Sequence, residues 1–116
     1  MGNTAIDIGT FQQLNADLGE EFISELVATY CTETPELIVS LQKAFQDLDS
    51  ETFRRAAHSI KSSSASLGAM RLSEQARQLE MIGKSGDLAE AAGLLENFQA
   101  EYVLVQNELM ELVHGA

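Results

Sequence analysis

The residue in this chain best suited to chemistry is His58, in the run Phe53-Arg54-Arg55-Ala56-Ala57-His58-Ser59-Ile60-Lys61-Ser62-Ser63-Ser64-Ala65-Ser66-Leu67-Gly68. A neutral imidazole nitrogen is a good nucleophile near neutral pH, since the ring's reference pKa is about 6.5. Attack on an acyl phosphate gives a phosphohistidine whose oxygens carry two negative charges. On a helix, residues three and four apart are neighbours, which places Arg54, Lys61 and Ser62 around the ring. Lys61 and Arg54 then supply positive charge for the phosphoryl oxygens, and the Ser62 hydroxyl supplies a donor. Small residues at 62–66 leave room for a partner protein to approach. Four serines in those five positions are not explained by helix propensity, because serine competes for backbone hydrogen bonds.

The element that must hold His58 outward is a helix. At about 100° per residue, Phe53, Ala56, Ala57, Ile60, Ser64 and Leu67 fall within roughly 60° of one direction, and His58 lies about 140° away. The first group is the core stripe and His58 faces solvent. Asp49 or Ser50 is the expected N-cap. Gly68 is the expected left-handed stop.

Around this segment, apolar spacing and caps predict four or five more helices. A short one runs from about Asp7 to Leu14 on Ile8, Phe11 and Leu14. The next runs from Gly19 to Thr32, with Phe22, Ile23, Leu26, Val27 and Tyr30 at helical spacing. Thr34-Pro35 predicts a restart, because proline suits the first helical position. Leu37, Leu41, Ala44 and Leu48 continue that segment. Met70 to Gly83 carries Leu72, Ala76, Leu79 and Ile82. After a Lys84–Asp87 turn, Asp87 and Glu90 have capping-box spacing. Leu88, Ala91, Leu95, Phe98, Tyr102, Val105, Leu109 and Leu112 mark a last helix of some 25 residues, roughly 38 Å long at 1.5 Å each. The pattern predicts an all-α fold, an antiparallel four-helix bundle with one or two short additional helices.

Charge narrows the partners. The 116 residues carry a net charge of −11, which argues against nucleic acid and anionic membrane. Yet Arg54, Arg55, Lys61, Arg71, Arg77 and Lys84 fall between positions 54 and 84 with only Glu74 and Glu80, a basic window in an acidic chain. An anion would be welcome there. The length suits one domain, residues 1–116, with one core. The single cysteine, Cys31, cannot form an internal disulfide and reads as a buried, inert thiol of a reducing compartment. No apolar run approaches a membrane span, no signal peptide is visible, and Ile6 spoils a Met1-Gly2 myristoylation motif. The expected location is cytoplasmic, either standalone or as a cytosolic piece of something longer.

Other residues draw bland readings. His114 suits a helix C-terminus as a surface residue. Met70, Met81 and Met110 read as core or rim. Glu80 has two readings, orienting groups near His58 from the neighbouring helix or a solvated charge.

The stretch from Ala57 to Ala69 resembles the signature of the histidine-containing phosphotransfer (HPt) family, approximately Ala-His-x-Leu-Lys-Gly-Ser-Ser-x-x-Leu-Gly-Ala. Leu72 and Leu79-Glu80 resemble its next apolar and Leu-Glu positions. Ile6-Asp7, Leu18-Gly19 and Pro35 also look familiar. The resemblance implies that His58 is phosphorylated, that Lys61 steadies the phosphoryl group and that Gly68 ends the helix. It implies a phosphorelay intermediate without ATP site or autokinase activity. The partners implied are response-regulator receiver domains and a hybrid sensor histidine kinase, with Arg55, Ala65, Arg71 and Arg77 as expected docking residues. The chain itself needs no cofactor, Mg²⁺ being expected on the receiver alone, and is expected to be monomeric. Ser62 departs from the signature's glycine and adds a side chain beside the imidazole, which bears on rate and partner choice.

Two rivals remain. One is an HPt-like adaptor that binds receivers without accepting phosphate. The other is a carboxylate-bridged metal bundle, which needs Glu-x-x-His pairs on several helices. Here Glu111-Leu112-Val113-His114 supplies the pair once, so the expected metal content is none.

Overall fold

The computed structural model describes residues 5–114. Five α-helices follow in order: α1 (Ile8–Leu18), α2 (Glu20–Asp47), α3 (Ser50–Ser66), α4 (Met70–Ser85) and α5 (Ala92–His114), with a 3-10 turn (Leu88–Ala91) leading into the last. The short connections send each of α3 to α5 back along its predecessor, giving the expected helical bundle, and α1 packs on α2. The most extensive interface is between α3 and α4. Phe53, Ala56, Ala57, Ile60 and Ser64 of α3 and Leu67 at its C-cap are all buried, as the 3.6-residue spacing requires. The Met1-Gly2 motif lies outside the described residues.

The expected break at Pro35 is absent. Helix α2 runs through it for 28 residues, although an interior proline loses one hydrogen bond and costs about 3 kcal/mol. What outweighs that cost is a buried stripe continuous across the site: Ile23, Val27, Tyr30, Thr34, Ile38, Leu41 and Ala44. Breaking the helix at Thr34 would turn half of that stripe off the core. Tyr30 also pins this region to α3, its hydroxyl lying 2.7 Å from Ser64 Oγ. Burial pushes the Tyr30 phenol up to about 12, so it stays neutral at physiological pH.

Both ends of α3 are set locally. Asp49 accepts the Thr52 N–H at 3.1 Å. At the C-terminus, the Ala69 N–H reaches the Ser64 carbonyl at 2.9 Å and the Gly68 N–H reaches Ala65 at 3.1 Å. This is a Schellman cap with Gly68 at φ 92°. Gly68 is doubly constrained, because a Cβ there would stand 3.0 Å from the Asp7 carbonyl oxygen. The segment before α1 docks on this turn, with the Asp7 N–H donating to the Gly68 carbonyl at 2.8 Å.

Leu48 departs from the expected stripe. It closes α2 at φ 57° and is 76% exposed, because a helix ending in the left-handed region turns its last side chain away from the face it was following. Phe22, Met70, Met81 and Met110 are exposed too, on the surface rather than in the core. At the start of the last segment, Asp87 caps the Ala89 N–H, but its own N–H goes to Ser85 Oγ at 3.2 Å, so Ser85 takes the part expected of Glu90. None of the described helices is long and apolar enough to cross a membrane.

Candidate functional site

His58 sits on the solvent side of α3, its side chain 55% exposed. Its Nδ1 lies 2.9 Å from Oε2 of Glu80 on α4. The other Glu80 oxygen, Oε1, lies 2.7 Å from Nζ of Lys61. One carboxylate thus joins the imidazole and the ammonium across the α3–α4 interface. Glu80 is 5% exposed, which settles its two sequence readings in favour of the buried one. The Lys61 hydrogen bond holds its carboxyl below the usual carboxylate range, against the upward push of burial, with His58 assisting.

An ionised carboxylate only accepts hydrogen bonds, so the contact assigns the proton to Nδ1. The Nε2 lone pair is left without a hydrogen bond among the described residues. The ring therefore presents a bare nitrogen toward solvent.

Close helix packing makes this contact reachable. A Cβ on Gly83 would stand 3.0 Å from the Cα, Cβ and N of Arg54, so only glycine lets α4 lie so near α3 at this level. The Ser73 hydroxyl adds a second tie, donating to the Lys61 carbonyl at 2.9 Å. Neither residue stands out in the sequence, since Gly83 reads as an ordinary helix end there.

The remaining expected site residues take distinct places. The Arg54 guanidinium is committed to Glu51, with Nη2 to Oε2 at 2.6 Å, and reaches Glu80 only as a longer-range charge. Arg55 binds the same Glu51 at 3.0 Å, and the two arginines hold that carboxyl down at about 2. Ser62 is exposed and Ala65 half-buried on the same helix. Arg77 pairs with Glu74 on its own helix. Arg71 instead reaches across to Glu101 of α5 at 3.1 Å, a carboxylate buried in the bundle.

The serine cluster divides by role. Ser64 bonds Tyr30 in the core, and Ser63 and Ser66 donate back to the carbonyls of Ser59 and Ser62 at 3.0 and 3.1 Å. Cys31 is partly buried and its thiol is pushed up by desolvation. Exposed His114 ends α5. Among the described residues, no three His, Cys, Asp or Glu side chains gather as a metal site.

Comparison with known families decides the relationship, because residues 25–114 match the Hpt domain. The chain belongs to the Hpt domain family. As an Hpt domain it serves histidine phosphotransfer in a two-component phosphorelay, with response-regulator receivers as the class of partner. Among solved structures, this Hpt domain is similar to histidine-containing phosphotransfer protein B (HptB) from Pseudomonas aeruginosa PAO1. The two share 25% identity and a TM-score of 0.90, with 99% of each chain covered. No curated protein matches it.

Proposed function

We propose that His58 is the phosphoryl carrier of this Hpt domain, acting through Nε2. The observation supporting this most directly is the buried Glu80 carboxylate on Nδ1, which leaves the opposite nitrogen bare on a half-exposed ring. The Nε2 lone pair attacks the phosphorus of a receiver's aspartyl phosphate. An N–P bond forms, the P–O bond to the aspartate breaks, and that electron pair leaves as carboxylate. Transfer to a second receiver runs the same step in reverse. The work on this side is positioning and charge neutralisation, as in other phosphoryl transfers.

Lys61 supplies the neutralising charge, one helical turn from the ring. Arg54, already paired, adds longer-range positive potential, and the exposed Ser62 hydroxyl is a donor at the rim. Arg55, Ala65 and Arg77 form the docking surface around His58, and Arg71 lies at its edge. Mg²⁺ and the remaining catalytic groups belong to the receiver, so the Hpt domain carries no cofactor. It acts as a cytoplasmic monomer, either standing alone or serving a hybrid sensor histidine kinase.

The test is transfer from a receiver phosphorylated with a small-molecule phosphodonor, read as acid-labile label on this chain. Wild type is expected to take label and pass it to a second receiver, whereas His58→Gln takes none. Full labelling of His58→Gln would overturn the assignment.

A further inference from the structure

We propose that Glu51 is a positioning residue that holds the Arg54 guanidinium while His58 is free and releases it to the phosphoryl group once His58 carries one. Arg55 keeps Glu51 paired during the exchange. This rests on His58 being the carrier.

Placement on α3 brings the three groups together. At about 100° per residue, Arg54 and Lys61 stand roughly 40° and 60° to one side of His58, one turn before it and one turn after. Arg55 stands about 60° to the other side. The flank of Arg54 faces α4, because its backbone lies against Gly83 and Lys61 meets Glu80 there. Helical side chains lean toward the N-terminus, so the imidazole lies over the turn that carries Arg54. Arg54 in turn leans back to Glu51.

The pairing around Glu51 suits release. Arg54 donates to both carboxylate oxygens, Nε to Oε1 at 3.2 Å and Nη2 to Oε2 at 2.6 Å. Arg55 Nε donates to the same Oε2 at 3.0 Å. When Arg54 leaves, Glu51 therefore keeps a cation. The Glu51 side chain is also 55% exposed, and exposed ion pairs are readily broken. Phosphorylation places two negative charges one turn away, and a guanidinium binds a phosphoryl group through two parallel N–H bonds. Donation reverses the exchange: as the phosphoryl group departs, Glu51 takes Arg54 back. This competition weakens the domain's hold on the phosphoryl group and so favours passing it on.

The experiment measures the equilibrium constant for transfer from one phosphorylated receiver to this chain, for wild type, Glu51→Gln, Arg54→Met and the double variant. Glutamine frees Arg54, so Glu51→Gln is expected to raise the constant roughly two- to fivefold, the range of an exposed ion pair. Losing a negative charge near the site would raise it too, so the double variant decides. In the Arg54→Met background the rise is expected to disappear. A rise that persists there acts through the general field rather than through Arg54 and overturns the proposal, as does no rise in Glu51→Gln. ¹H–¹⁵N NMR of the wild type is independent of how Glu51→Gln folds. The Arg54 Nε–H resonance, assigned by its loss in Arg54→Met, is expected to move further on phosphorylation than that of Arg55. Equal or smaller movement overturns the proposal. Failure of the carrier role itself looks different, because wild type then takes no label at all.

Discussion

Gly83 and Arg54 meet backbone to side-chain position: a Cβ on the glycine would stand 3.0 Å from the Cα, Cβ and N of the arginine. Gly83 lies three residues after Glu80, and Arg54 four before His58, so this close approach fixes the distance across which Glu80 must reach. Gly83→Ala forces backbone rather than a flexible side chain to yield, at a cost of about 1–3 kcal/mol. The expected result is a melting temperature lower by roughly 4–8 °C per kcal/mol, with the His58 tautomer no longer uniformly Nδ1–H by ¹⁵N NMR. A variant of unchanged stability and tautomer would show that the helices tolerate separation.

Lys61→Met keeps the apolar stem and removes the charge. A hydrogen bond to a charged group contributes about 1.5–3 kcal/mol, so receiver-to-His58 transfer is expected to slow by roughly ten- to a hundredfold. Single-turnover transfer at saturating receiver checks this, since a loss confined to binding disappears at saturation.

Leu48 holds φ 57° while 76% exposed. A non-glycine residue there costs about 1–2 kcal/mol in the left-handed region, whereas the exposed leucine side chain contributes little burial. Glycine adds unfolded-state entropy of about 0.5–1 kcal/mol. Leu48→Gly is therefore expected to stabilise the fold by about 0.5–1 kcal/mol, measured as a higher urea midpoint with an unchanged slope.

Leu48 also shows where the sequence stops being readable. Periodicity follows a helix face but not the turn that ends it, so Leu48 looks like the next core position until the chain enters the left-handed region. Pro35 misleads in the opposite sense, because a local rule for helix starts loses to seven buried positions running through it. The His58 face was legible, since 3.6-residue geometry alone separates it from Phe53, Ala57 and Ile60. Glu80 was legible only as one of two open readings, and Gly83 not at all, for a physical reason. Their importance lies in contact with α3, and helix-to-helix register is not encoded in the spacing of either helix by itself.

Stability should depend on acid through Glu80. Its folded carboxyl titrates below the ordinary 4.5, chiefly because of Lys61, so the unfolded chain takes up this proton first. The stabilisation is complete above about pH 4.5 and is lost as pH falls from there through the folded carboxyl's lower value. Urea midpoints measured from about pH 6 to 3 should fall less steeply in Glu80→Gln than in wild type. Glu51 titrates lower still, at about 2, but it is exposed, so salt should weaken its share and spare that of Glu80.

Arg71 and Arg77 look equivalent in sequence, two basic residues on one helix, yet they face different partners. Arg77 pairs with Glu74 at 2.6 Å, both side chains about half exposed, and such pairs contribute only about 0–1 kcal/mol. Arg71 pairs with Glu101, whose side chain is 8% exposed. Removing Arg71 leaves a buried carboxylate without its cation, and screening by solvent around the half-exposed arginine reduces the penalty to about 1–2 kcal/mol. Arg71→Ala is expected to lower the thermal midpoint while Arg77→Ala changes stability by less than about 0.5 kcal/mol. Adding Glu101→Gln to Arg71→Ala should recover part of the loss, because the uncompensated charge is then gone. Transfer kinetics at low and high salt complete the separation. Arg77→Ala is expected to slow receiver association mainly at low salt, whereas slowed association with an unchanged midpoint in Arg71→Ala would move that residue from the bundle's framework to its docking surface.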